Sequence, residues 1–206
     1  MRGNEEKKAI AQGHRIIGAI DEAGRGPLAG PVVAACVICP AEFDWEDERL
    51  ELIKDSKQLA AKERERLFKI IYGIFPEIGI GICDNRIIDR MNIFAATFLA
   101  MKMAIGRIKN KPDFILLDGK FIIPNLSIEQ KAVVAGDKSV VSIAAASIIA
   151  KVTRDRIMFD WHERYPHYGF DRHKGYGTKF HFQQLSRLGP CPIHRQSFSP
   201  VRKANR

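Results

Sequence analysis

Ile16-Ile17-Gly18-Ala19-Ile20-Asp21-Glu22-Ala23-Gly24-Arg25-Gly26-Pro27 is the stretch from which the rest of this sequence can be read. An apolar run reads as a buried strand, two adjacent carboxylates close it, and a glycine turn follows. Acids at the end of such a strand are costly to bury unpaired. A hard divalent cation such as Mg²⁺ compensates both, because it prefers carboxylate oxygens and keeps several waters. The glycines let the backbone come close to a ligand and point N–H groups at it. One short segment is therefore read as binding both a metal and a substrate.

Working outward, the apolar run Val32–Cys39 predicts a second strand closed by Pro40. The link from Ile20 to Val32 is too short for a helical crossover, so these two strands pair antiparallel. Asp55-Ser56 reads as the cap of a helix over Leu59–Phe75, ended by Pro76. Ile78–Cys83 is a short strand. Asp84 then caps one long helix to about Arg107, in which Ile87, Ile88, Met91, Phe94, Phe98, Met101 and Ile105 keep helical spacing. That Met and Phe stripe is read as core. Phe114–Leu117 is a buried strand delivering Asp118, and Ala132–Val134 is a shorter one delivering Gly136-Asp137. A helix follows over about Val140–Trp161, starting on small residues, and another over Lys179–Leu188. The class is α/β.

Composition sets the frame. The chain has 206 residues, room for one domain with a real core or one domain and a small appendage. No apolar run is long enough to span a membrane. The N-terminus lacks the apolar segment of a signal peptide, so a cytoplasmic location is expected. Cys36 and Cys39 have C-x-x-C spacing but sit in a strand, where positions three apart face opposite sides. They are read as buried structural thiols. The net charge of +9 is concentrated: residues 150–206 hold 12 Lys/Arg against 4 Asp/Glu. Five of the six histidines lie there too. A basic final quarter suggests a polyanion gripped at that end. The expected division is a core over 1–164 and a basic C-terminal extension over 165–206 that contributes to substrate binding.

Three strand exits thus carry acids: Asp21-Glu22, Asp118 and Asp137. Ligands in α/β sheets gather at strand ends. Four carboxylates converging there repel unless protons or metal ions intervene. Two Mg²⁺ ions would meet that need and suit in-line phosphodiester chemistry. Asp155 lies 18 residues beyond Asp137 on a helix, roughly 27 Å away, too far for the same centre. Flanked by Arg154 and Arg156, it is read as a surface ion-pair residue.

Taken together, Asp21–Pro27, Asp55-Ser56-Lys57, Leu117-Asp118-Gly119, Gly136-Asp137 with Ala144–Val152, and His173-Lys174-Gly175-Tyr176-Gly177-Thr178 resemble bacterial ribonuclease HII. The resemblance runs in order from about residue 13 to 195. It implies an RNase H-like mixed sheet flanked by helices, with a small C-terminal helical extension. It implies endonucleolytic hydrolysis of RNA in RNA–DNA hybrids, and cleavage 5′ to single ribonucleotides in duplex DNA, with Mg²⁺ or Mn²⁺ as cofactor. Asp21, Glu22, Asp118 and Asp137 resemble its metal-binding acids. Gly24, Arg25 and Gly26 resemble its sensor of the ribose 2′-OH, Tyr176 the ring that packs on the neighbouring deoxyribose, and Lys57 a lysine near the phosphates. Lys174, in the Tyr176 motif, is a further substrate-contact candidate, and His173 a candidate for approaching phosphate. His162, His167, His181 and His194 are read as ordinary polar or packing residues.

Two other readings remain in view: another RNase H-like nuclease such as a resolvase or integrase core, and a non-catalytic nucleic-acid binding module. The related ribonuclease HIII type usually differs at the Arg25 position and carries an added N-terminal domain. With only some 15 residues before the first strand, that type is disfavoured. A monomer is expected. The resemblance leaves room for contact with a sliding clamp through the C-terminal tail, but no convincing peptide for it is identifiable in this sequence.

Overall fold

The apolar run at Ile16 forms the central strand of a five-stranded mixed sheet. The computed structural model describes residues 3–53 and 59–204. Its strands are β1 (Ile16–Ala23), β2 (Val32–Pro40), β3 (Ile78–Cys83), β4 (Phe114–Asp118) and β5 (Glu129–Val133), in the order β3-β2-β1-β4-β5. β2 pairs antiparallel with β1 and β3, while β4 pairs parallel with β1 and β5. The expected α/β class and the antiparallel first pair are both present.

β1 is longer than expected. Asp21 and Glu22 do not follow the strand but lie inside it, opposite Ala35 and Ala34 of β2. Small partners leave room there for two acids. β5 begins earlier than expected, at Glu129, and ends before Val134.

Helices cover both faces. One face carries α1 (Asn4–Ala11), α2 (Ala61–Ile74) and α6 (Val141–Arg164); the other carries α4 (Ile93–Gly106). Between them in sequence lie α3 (Asn85–Met91) and the short α5 (Gly136–Ser139). α7 (Phe170–His173), α8 (Lys179–Leu188) and α9 (Ser199–Ala204) complete the chain. The last forty residues are thus more helical than the sequence pattern predicts. Cys36 packs among the α4-side residues and Cys39 among the α6-side residues, both as free thiols. Burial pushes the Cys36 thiol up to about 12, so it is an inert core group.

The long helix expected from Asp84 is broken. Asp84 does cap it, accepting the Ile87 N–H at 2.9 Å. At Asn92, however, φ is +70°, and the chain restarts as α4. Asn tolerates that conformation better than other side-chain-bearing residues. Its Oδ1 accepts the N–H groups of Phe94 and Ala95, so one residue ends α3 and caps α4. α2 starts at Ala61 with no side-chain cap, and the Asp55-Ser56 cap expected for it lies outside the described residues. The first turn of α6 is capped from a distance: buried Glu6 of α1 accepts both the Ser142 N–H (3.2 Å) and its hydroxyl (2.5 Å).

The small residues set the spacing of the layers. Ala144, Ala145 and Ala146 bring α6 onto β1 and β2. On the opposite face, a Cβ added at Gly81 would sit 1.9 Å from the Ala100 carbonyl oxygen, and one at Gly79 2.1 Å from that of Ala104. α4 therefore lies directly on β3. We expect Gly81→Ala to destabilise the fold by about 3 kcal/mol, since neither backbone can give way. Gly106→Ala, at the open end of α4, should be neutral or slightly stabilising. Urea unfolding of the two variants checks both.

Candidate active site

The pleat of β1 separates its two acids. Ile17 and Ala19 face the α6 layer and Ile20 faces the α4 layer, so Asp21 points toward α6 and Glu22 toward α4. β4 runs parallel to β1 with Ile20 beside Leu117. One step further along, Asp118 comes next to Asp21 on the same face. Asp118 Oδ1 then accepts the N–H of Gly136 at 2.7 Å and of Asp137 at 3.4 Å, which swings α5 over the end of the sheet. Asp21, Asp118 and Asp137 each place a carboxylate oxygen within 4.8 Å of the other two. Glu22 is not part of this triad.

Asp21 and Asp137 are almost fully buried. Burial, and then the charges of Glu22 and Asp118, push the Asp21 carboxyl well above the usual range. A hydrogen bond from Ser147 of α6 and the Glu22 N–H (2.7 Å) pull the other way. Three oxygen donors of like charge, two of them out of water, fit a hard divalent cation and little else.

Glu22 turns to the glycine turn. Its Oε1 lies 3.4 Å from Arg25 Nη1, and the Arg25 guanidinium sits 5.6 Å over the Phe94 ring. The turn itself is held from behind by two fully buried arginines that the sequence reading missed. Arg195 donates to the carbonyls of Gly24 (2.6 Å), Arg25 (2.9 Å), Gly30 (3.0 Å) and Pro31 (3.2 Å). Arg154 donates to Ala29 (3.1 Å), Pro31 (2.9 Å) and Lys174 (3.0 Å). A Cβ at Gly24, where φ is +100°, would sit 2.1 Å from Arg154 Nε. Only glycine fits between the turn and its support. In the sequence, Arg154 passed as a charge beside Asp155, and nothing distinguished Arg195 from other basic residues of the tail.

Asp155 is an ion-pair residue as expected, but with other partners and not at the open surface. It is mostly buried, with Lys151 Nζ at 2.7 Å and Arg64 Nη2 at 3.7 Å. Arg156 pairs with Glu65 instead.

Tyr176 stands against the same turn. Its Cε1 is 3.7 Å from where a Gly26 Cβ would be, its ring lies about 6 Å from both Lys151 Nζ and the Arg154 guanidinium, and it is 44% exposed. An aromatic so placed is a wall of the site, not core. The Lys174 ammonium is folded back onto the Asp171 carbonyl, and its side chain lines a groove of about 450 Å³ with Arg64, Asp155, Arg156 and Phe159. Lys57 lies outside the described residues. His173 does not reach outward: its Nε2 contacts the Tyr168 carbonyl (2.7 Å) and its Nδ1 accepts the Gly175 N–H (3.2 Å). It stacks on His181, whose Nε2 meets His194 Nε2 at 3.0 Å.

A mixed sheet that gathers three carboxylates at the end of its central parallel pair, beside a basic C-terminal segment, defines a metal-dependent nuclease of the RNase H-like class. The family model for ribonuclease HII matches residues 17–201, and the chain belongs to that family. It is a ribonuclease H, an endoribonuclease that hydrolyses RNA in RNA–DNA hybrids. It is 51% identical to the ribonuclease HII of Acetivibrio thermocellus over 94% of this chain and 73% of that one. To the Geobacter metallireducens enzyme it is 48% identical over 96% and 90%. Among solved structures, ribonuclease H2 of Pyrococcus horikoshii matches with a TM-score of 0.73 at 28% identity, over 92% of this chain and 97% of that one. The RNase HII of Archaeoglobus fulgidus, solved in complex with PCNA, matches with 0.68 at 25%, over the same shares. A Bst RNase HIII bound to Mn²⁺ shares the fold, with 0.73 at 20% identity over 92% and 69%.

His181 and His194 are fully buried, and burial above all pushes both down to about 4. Around them pack His173, Cys191, Tyr168 and Phe170. With a folded pKa below the ordinary 6.5, the unfolded chain takes up protons first as pH falls. The stability they contribute is complete above about pH 6.5 and drains away toward pH 4, by on the order of 3 kcal/mol for each histidine. Unfolding free energies of wild type and His194→Gln, compared across that window so that carboxylate titrations cancel, should show the shallower slope in the variant.

Proposed function

We propose that Asp21, Asp118 and Asp137 hold the catalytic divalent cation, Mg²⁺ or Mn²⁺, and that Glu22 is the fourth acid, drawn in when substrate brings a second ion. The approach of three carboxylate oxygens to within 4.8 Å of one another carries this reading. Mn²⁺ in the Bst RNase HIII structure supports it. Such a cation, when bound, polarises the scissile phosphate and acidifies a water. The protein's own part is to hold the acceptors still. Ser147 and the Glu22 N–H fix Asp21, and the α5 N–H groups fix Asp118. Water is the attacking group and the 3′ oxygen leaves, giving 3′-hydroxyl and 5′-phosphate ends.

Discrimination of RNA from DNA falls to Gly24, Arg25, Gly26 and Tyr176. The ribose 2′-OH both donates and accepts hydrogen bonds. With the Gly24 and Arg25 carbonyls engaged by Arg195, the turn offers its peptide N–H groups to that hydroxyl. The exposed Tyr176 ring, one wall away across Gly26, packs on the neighbouring deoxyribose. Substrates are then RNA–DNA hybrids and duplex DNA carrying single ribonucleotides. Lys174, Lys57 and the basic segment after residue 165 contribute phosphate contacts that position the duplex without reading its sequence. Binding of this kind weakens steeply with salt.

Asp118→Asn should lower cleavage of a duplex carrying one ribonucleotide by about three orders of magnitude in Mg²⁺. Wild-type products read by mass spectrometry should carry 3′-hydroxyl ends; a 2′,3′-cyclic phosphate would exclude the mechanism. Tyr176→Ala should lose about tenfold to a hundredfold in kcat/KM on the single-ribonucleotide duplex, and much less on a long hybrid. Equal losses on the two substrates would remove Tyr176 from discrimination.

A further inference from the structure

We propose that His181 is a positioning residue for substrate discrimination, holding Tyr176 in place through a proton relay with His194 that has one neutral arrangement. The proposal rests on the reading of Tyr176 as the sugar-facing ring. The relay can be followed atom by atom. The Tyr176 carbonyl lies 2.9 Å from His181 Nδ1. A carbonyl oxygen only accepts, so Nδ1 carries the hydrogen and His181 Nε2 keeps its lone pair. His194 Nε2, 3.0 Å from that lone pair, must therefore carry a hydrogen of its own. His194 Nδ1 is left as an acceptor, and the Cys191 N–H meets it at 3.0 Å. The order runs from the Cys191 N–H through His194 and His181 to the Tyr176 carbonyl, with each imidazole donating once and accepting once.

The Tyr176 carbonyl fixes this order, although the Cys191 carbonyl also lies 3.3 Å from His194 Nδ1. His173 stacks on His181 with ring centroids 4.5 Å apart, and Phe170 stands at 90° to it at 5.6 Å. By the same reasoning His173 Nε2 donates to the Tyr168 carbonyl, and its Nδ1 is taken by the Gly175 N–H. A second proton on His181 would set two donors face to face across 3.0 Å.

The relay ends on the one peptide that most needs holding. Lys174 and Gly175 both adopt positive φ, so the loop is sharply bent just before Tyr176. The Tyr176 N–H donates to the His173 carbonyl (2.8 Å), and its own carbonyl also accepts from Thr178 (2.9 Å). Lys174 and Gly175 are tied by Arg154, His173 and the Leu28 N–H, and the His181 bond is the side-chain contact made to the Tyr176 carbonyl itself. A phenylalanine would fill the space at His181 but could not hold the carbonyl, and the ring would be free to leave the Gly26 wall.

Long-range ¹H–¹⁵N spectra of the wild-type imidazoles read the relay without reference to activity. The expected result is His181 protonated at Nδ1 and His194 at Nε2, unchanged from pH 8 to pH 6. The opposite tautomers, or titration of either near pH 6.5, would overturn it. The kinetic arm compares His181→Phe, His181→Asn, Tyr176→Ala and the His181→Phe/Tyr176→Ala double variant on the single-ribonucleotide duplex and on a long hybrid. His181→Phe should lose about tenfold in kcat/KM on the first substrate relative to the second. His181→Asn, which keeps an N–H near the Nδ1 position, should recover most of it. The double variant should be no worse than Tyr176→Ala alone. Equal loss in the Asn and Phe variants, or losses that multiply in the double variant, would overturn the positioning role. Tyr176→Ala without effect would overturn the reading beneath it, and the spectra then show whether the relay itself stands.

Discussion

Two guanidinium groups buried with no carboxylate at hydrogen-bonding distance among the described residues organise this molecule's working end. Arg154 and Arg195 spend their donors on backbone carbonyls of Gly24, Arg25, Ala29, Gly30, Pro31 and Lys174. Burial pushes them down, to about 10 and about 9, yet both stay charged at neutral pH. A charge taken out of water is tolerated only when hydrogen bonds replace its solvation. The carbonyls of a tight loop supply those bonds, and the arginines in turn satisfy carbonyls that no strand or helix could. The loop and the two cations are stable only together.

This mutual dependence joins the parts of the site that differ in chemistry. Asp21, Glu22 and Asp118 sit on the sheet, whose parallel β1–β4 register sets Asp118 beside Asp21, and α5 adds Asp137 from above its end. Gly24, Arg25, Gly26 and Tyr176, to which we propose that discrimination falls, sit on loops, which have no ladder of their own. Arg154 projects from α6, the helix that also presents Ser147 to Asp21, and it reaches both the glycine turn and the backbone beside Tyr176. Arg195 comes from the C-terminal segment and reaches the turn from the other side. The C-terminal segment also bonds directly to this loop, through Gly30 to Ile193 and Arg195 to Leu28. The C-terminal segment and the glycine turn are therefore held as one unit.

Much of this was legible in the order of residues. Apolar runs ending in acids marked β1 and β4, and Asp84 marked a helix start, because burial and capping leave local patterns. The break at Asn92 was missed because Asn continues a polar position of the helical pattern, while its positive φ and double cap are conformational. The sequence presents Asp21 and Glu22 as converging neighbours at a strand end. They lie within β1, and the pleat sends one to the triad and the other to Arg25. His181 read as a packing residue, since a lone histidine shows nothing of the partners that fix its tautomer.

The sequence by itself determined which residue types are present for the chemistry, where the strands carrying them end, and which family they belong to. It did so because hydrophobic periodicity, caps and the glycine turn are local and leave their mark within a few residues. The tertiary structure alone decided which carboxylates meet, how Gly24-Arg25-Gly26 is held, and what stands behind Tyr176. Those depend on strand register and on the burial of Arg154, Arg195, His181 and His194. A basic or titratable side chain has the same identity in sequence whether it is solvated or enclosed. Only the packing around it determines whether its hydrogen bonds go to water or to the backbone of the site.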